Sequence, residues 1–170
     1  MRRTYLLCAV KVDPASLDTT RRALRRMCLP SQRRLHFERE QDARRRSLLG
    51  QIARLNIRAT VYQCDEPSQI AARMGCLRQL LTDESAAMTR LVLDACETMD
   101  RRDRRLIYLA ARDLGMAATF TYEHLRSFEE PILWAADAVA WAVGAGRSWH
   151  SRVNDIVAAV VDVKADFSVR

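Results

Sequence analysis

Pro131-Ile132-Leu133-Trp134-Ala135-Ala136-Asp137-Ala138-Val139-Ala140-Trp141-Ala142-Val143 holds one charge, Asp137, in a run otherwise free of charged residues. A helix that is apolar on nearly every face is largely buried, so this segment is expected inside the protein. A buried carboxylate is costly unless it is paired, hydrogen-bonded or bound to a metal ion. The stretch therefore poses two questions: which elements pack around the helix, and what offsets the charge of Asp137. Pairing with a buried arginine, Arg126 or Arg147, is one answer; a catalytic metal is another. The run is well short of the ~20 residues that span a bilayer, so no membrane span is expected.

Around this helix the pattern alternates. Thr4 to Val12 is aliphatic and stops at Asp13-Pro14, which reads as a strand. Leu17 to Leu29 has helical spacing and ends before Pro30. Arg34-Leu35-His36-Phe37 reads as a short extended piece, and Glu38 to Asn56 as an amphipathic helix with Leu48, Leu49, Ile52 and Leu55 inward. Ile57 to Cys64 is the next strand. A helix follows from about Pro67 to Leu81, then the short strand Arg90-Leu91-Val92-Leu93-Asp94. Asp100 to Leu114 reads as a charged helix with Gly115 at its C-cap. Ala117 to Tyr122 reads as a strand, Phe128 to Val143 as the apolar helix, and Val153 to Val163 as a final helix whose valines leave a strand open. Such alternation predicts an α/β fold with a mixed or mainly parallel sheet flanked by helices, and residues 1–170 are expected to form a single domain.

Composition narrows the compartment and the partners. The five cysteines share no C-x-x-C spacing and are odd in number, so neither a zinc site nor a disulfide framework is indicated. Most fall in apolar patterns, where a free thiol packs as a small hydrophobe. Met1-Arg2-Arg3 leads into too short an apolar stretch for a signal peptide, and a cytoplasmic protein is expected. The formal charge is +7, and nearly all of the basic residues are arginine. Arginine forks suit phosphate recognition, although a coding bias gives the same count. Arg33, Arg34 and Arg126 are the candidate nucleic-acid contacts. Trp149-His150 offers a ring for stacking on a base, but its first reading is core or interface. No phosphate-binding glycine loop, G-x-S-x-G or H-E-x-x-H occurs.

Three groups of acids stand out. Asp94 ends a strand, where open α/β sheets collect ligands; it reads equally as a cap for the following loop. Glu38 and Glu40 open a helix, where the dipole alone accounts for them. Glu129 and Glu130 precede Asp137 by one to two turns. Converging carboxylates bind Mg²⁺ or Mn²⁺ through oxygen, and two such ions support phosphodiester cleavage. His36, His124 and His150 form no ligand pattern by spacing; a proton-transfer role for His124 is conceivable, and a structural one more ordinary.

In this order of elements, Tyr5-Leu6-Leu7-Cys8-Ala9-Val10, Leu35-His36-Phe37, Leu91-Val92-Leu93-Asp94 and Trp134-Ala135-Ala136-Asp137-Ala138-Val139 resemble pieces of the RNase H-like superfamily. More narrowly, they resemble a bacterial family of unknown function within it, whose members open on an Asp-Glu-Ser strand and end on an Ala-Asp helix. The resemblance implies a metal-dependent nuclease-like domain acting on RNA or DNA. Asp94, Asp137 and Glu38 would be its catalytic acids; Asp94, Asp137 and Glu130 would be its Mg²⁺ or Mn²⁺ ligands. The Asp-Glu-Ser strand is missing from the sequence as written, so the expected fold lacks its first strand and the activity is expected to be truncated or lost. The alternative is a non-catalytic nucleic-acid-binding or protein-interaction module of the same fold, with an exposed sheet edge open to a homodimer.

Overall fold

The computed structural model describes residues 4–164; Met1-Arg2-Arg3, on which the reading against a signal peptide rests, lies outside them. Strands β1 (Tyr5–Val12), β2 (Ile57–Cys64), β3 (Arg90–Asp94), β4 (Thr121–Leu125) and β5 (Val157–Asp162) alternate with helices α1 (Leu17–Arg26), α2 (Asp42–Ile52), α3 (Gln69–Glu84), α4 (Asp100–Asp113), α5 (Ile132–Gly144) and the short α6 (Arg147–His150). The fold is α/β, with β1-β2-β5 forming one sheet and β3-β4 another. Strand β2 has a neighbour on each side, and Ala59 to Tyr62 are all buried. Ala59 N–H donates to the Ile156 carbonyl and Val163 N–H to the Gln63 carbonyl, both at 2.8 Å. These two bonds set β5 parallel to β2. Among the described residues, no helix is long and apolar enough to cross a membrane.

The chain divides into two compact units. The first contains Tyr62–Leu125 with one end each of β1 and β5. Within it, β3 and β4 pair in parallel, Arg90 opposite Thr121 and Asp94 opposite Leu125. Parallel neighbours need a crossover, which α4 supplies. Helix α3 packs on α4 and buries Ala72, Cys76, Leu77, Leu80 and Leu81. Its first turn is capped by Ser68, whose hydroxyl accepts from Ala71 N–H at 3.3 Å. Gly115 follows α4 with φ +71°, the left-handed C-cap that the sequence suggests.

The second unit contains Cys8–Val61 and Arg126–Val160. Helix α5 is its hub, touching α1, α2 and α6. The core gathers Leu24, Phe37, Leu48, Leu49, Ile52, Trp134 and Val139, all buried. Phe37 meets Trp141 edge-on at 5.3 Å, and Trp141 meets Trp149 at 5.0 Å, the geometry that ring quadrupoles favour.

Several boundaries differ from expectation. The last element is strand β5, because its β-branched valines suit a pleated surface better than a helix. Strand β4 starts only at Thr121, residues 117–119 being a turn. Helix α2 starts at Asp42 rather than Glu38, after a single 3-10 turn over Phe37–Arg39. Of the cysteines, Cys64 and Cys76 are buried but Cys96 is exposed.

Candidate functional site

The acids singled out by the sequence fall in both units. Asp94 ends β3 in the first unit and is exposed. Glu38, Glu130 and Asp137 belong to the second. Glu38 is exposed in the 3-10 turn, and its backbone carbonyl accepts from Arg45. Glu130 is buried, with both carboxylate oxygens held by Arg21: Nε at 3.2 and 3.1 Å, and a terminal nitrogen at 2.5 Å. It also accepts from Ile132 N–H at 3.1 Å. A carboxylate that closes the first turn of α5 and neutralises an arginine is a structural brace.

Asp137 is exposed, which corrects the expectation of a buried charge. Trp134, Ala135, Ala138, Val139 and Ala142 form the buried stripe of α5. At about 100° per residue, Asp137 lies about 130° from the middle of that stripe. Its carboxylate faces groups of its own unit. Burial, and then Asp137, pushes the Cys8 thiol up to about 12. His36 is held below the usual histidine value by burial and then by Arg34 and Arg39, against smaller upward pulls from Asp137 and Glu40.

The buried carboxylate is elsewhere. Asp103 is fully buried (0 % exposed) in the first unit, in the middle of the stripe that α4 forms with Leu106, Ile107 and Ala111. Arg73 of α3 grips it twice, Nε to Oδ1 at 3.1 Å and a terminal nitrogen to Oδ2 at 2.7 Å. The other terminal nitrogen of Arg73 donates to the Tyr5 hydroxyl at 3.2 Å. These bonds, led by those to Asp103, raise Arg73 well above its ordinary range. His124 of β4, its side chain 5 % exposed, points Nε2 at Asp103 Oδ2 (3.3 Å) and Asp100 Oδ1 (3.5 Å). Asp100 also accepts from Cys96 N–H at 2.8 Å. One ligand atom from each of Asp100, Asp103 and His124 lies within 4.8 Å of the others, a group that could hold a metal ion. Two carboxylates and one guanidinium thus surround the imidazole nitrogen.

A second feature belongs to the other unit. Ser31, Gln32, Arg33, Arg34, His36 and Phe128 line an open cavity of about 380 Å³. Arg33 lies over the Phe128 ring at 5.0 Å, and Phe128 is 41 % exposed. Arg34 Nε donates to His36 Nε2 at 3.2 Å, which requires a neutral imidazole with Nε2 as acceptor. Of the three arginines expected to contact nucleic acid, Arg33 and Arg34 therefore share one pocket. Arg126 is exposed at the start of the Arg126–Val160 segment, and its backbone N–H caps onto Glu129 at 2.7 Å. Trp149 is already covered by Arg46 (5.6 Å) and Arg152 (5.9 Å).

The sequence held a signal for Asp103. It stands three and four residues before Leu106 and Ile107, in phase with the buried face of α4, where Arg101, Arg102, Arg104 and Arg105 are out of phase. Asp100 is one turn earlier on the same face. His124 comes from a different element, β4, and meets them only in the folded chain, which no local pattern reveals. No protein-family model, curated protein or solved structure matches the chain.

Proposed function

We propose that this chain is a nucleic-acid-binding module that takes a single-stranded segment into the pocket of Arg33, Arg34, His36 and Phe128. The observation that carries the reading is that pocket, where two guanidinium groups and an exposed aromatic ring line one cavity. Arginine meets phosphate with paired donors, and a base has a face to stack on Phe128 or on the Arg33 plane. The charge of +7 supplies attraction at longer range. The reading is the non-catalytic branch of the RNase H-like resemblance, and five free cysteines suit a reducing compartment such as the cytoplasm. Fluorescence anisotropy with a labelled single-stranded oligonucleotide tests it. Binding should weaken as salt rises, and Arg33→Ala with Arg34→Ala should cost about tenfold or more and flatten the salt dependence by roughly one unit of slope. Unchanged affinity in the double variant would sink the reading.

A second reading is favoured by the cluster of Asp100, Asp103 and His124: a metal-dependent phosphodiesterase using Mg²⁺ or Mn²⁺ there. A bound divalent ion would supply a Lewis acid and an activated water. Cleavage of the same oligonucleotide with either ion, lost in Asp100→Asn and kept in Asp137→Asn, is the expected result. Loss in Asp137→Asn instead would return the chemistry to the acids of the RNase H-like pattern.

A further inference from the structure

We infer that Asp100, Asp103 and His124 form a three-ligand site for a borderline transition-metal ion of the Zn²⁺ class, with a fourth position open to solvent. The inference rests on the reading of this cluster as a cation site and names the ion differently. Ligand spacing is the first argument. Ligands about 2.1 Å from an ion stand about 3.4 Å apart in a tetrahedron and about 3.0 Å apart in an octahedron. His124 Nε2 lies 3.3 Å from Asp103 Oδ2 and 3.5 Å from Asp100 Oδ1, near the tetrahedral edge. Ligand chemistry is the second. Imidazole nitrogen suits Zn²⁺ and its neighbours, whereas Mg²⁺ prefers oxygen and holds its waters.

The placement of the histidine is the third argument. Its ring is 5 % exposed, and Nδ1 is buried with no hydrogen-bond partner. Nε2, on the other side of the ring, faces Asp103 and Asp100. Arg73 does not close the site, since Asp103 keeps a second lone pair on Oδ2 beside the bond it accepts. The arginine holds that carboxylate in place, as outer partners of metal ligands commonly do. Asp100, 21 % exposed, leaves the route in and the fourth position on its side.

The test uses the full chain, stripped with a chelator and then titrated with Zn²⁺, Co²⁺ or Mg²⁺. Calorimetry should show about one Zn²⁺ per chain with micromolar or tighter affinity, and Mg²⁺ at least about a hundredfold weaker. Bound Co²⁺ should give the visible bands of a nitrogen-oxygen tetrahedron without a thiolate charge-transfer band. Asp100→Asn, which keeps an oxygen for Cys96 N–H, should weaken Zn²⁺ at least about tenfold; His124→Gln should abolish the Co²⁺ bands. A thiolate band, or equal Zn²⁺ affinity in wild type and Asp100→Asn, overturns the site by assigning the metal to cysteine or elsewhere. Mg²⁺ binding as tight as Zn²⁺ overturns the choice of ion while the cation site stands. No binding of any of the three ions removes both.

Discussion

Helices α4 and α5 each carry aspartate in a setting that misleads on average composition. Helix α5 is almost wholly apolar, yet Asp137 is exposed. Helix α4 is crowded with arginine, yet Asp103 is fully buried. The difference is phase. In α5 the buried stripe is set by Trp134, Ala135, Ala138, Val139 and Ala142, and Asp137 lies on the face turned away from it. In α4 the arginines point outward and leave a narrow buried face, and Asp103 sits at its centre. A position's burial follows its angle around the helix relative to the packing stripe, and the proportion of apolar residues in the helix does not fix it.

The largest expected effect breaks or confirms that contrast directly. Asp103→Asn leaves the Arg73 guanidinium without its charge partner in a buried place, and removing one member of a buried pair costs about 3 kcal/mol or more. Asp137→Asn, on an exposed face, should cost clearly less than Asp103→Asn. Urea unfolding of the two variants measures both. Equal losses would mean that the two carboxylates do not differ in burial.

The same contrast shows how far the sequence can be read. Strands Ile57–Cys64 and Arg90–Asp94 have the bounds that their aliphatic runs suggest, because strand signals are local: side chains alternate and turn residues close the run. The α/β class follows from the alternation of such runs. Which strands pair is not local, and the separation into β1-β2-β5 and β3-β4 has no trace in any window of residues. The site behaves the same way. Arg33 and Arg34 are adjacent in sequence and could be grouped at once, whereas Phe128 reaches them only through the fold. Asp100 and Asp103 could be grouped by helical spacing, but His124 of β4 reaches them only through tertiary packing. Glu130 reads as a ligand candidate because its partner, Arg21, is 109 residues away.

Glu130 sharpens the comparison from within the unit that holds Asp137. It stands just before α5, buried against Arg21 and bonded to Ile132 N–H, so the charged residue that matters to this helix is at its start rather than in its middle. Glu130→Gln keeps an oxygen for Ile132 but removes the charge from Arg21. The expected loss is about 2 kcal/mol, below that of Asp103→Asn because Arg21 remains in partial contact with water and an amide still accepts one of its bonds. Thermal or urea unfolding measures it, and a loss as small as that of Asp137→Asn would remove the brace.

The smallest effect concerns what an exposed Asp137 can still do. His36 already lies below the usual histidine value, so the folded protein favours its neutral form; the stability this contributes is present above the unfolded value, near 6.5, and is lost as pH falls towards the folded one. Asp137 opposes that shift, and Asp137→Asn should lower the His36 value further by a small amount, read from the imidazole proton shifts in an NMR titration. A phosphate in the pocket works the other way. It favours the imidazolium and should raise the His36 value on binding, so oligonucleotide affinity should increase as pH drops through about 6.5 and below. The two measurements separate the contributions: the variant tests whether Asp137 faces the histidine, and the bound titration tests whether the pocket holds an anion. A His36 value unmoved by oligonucleotide would place the nucleic acid away from Arg34, whatever the affinity.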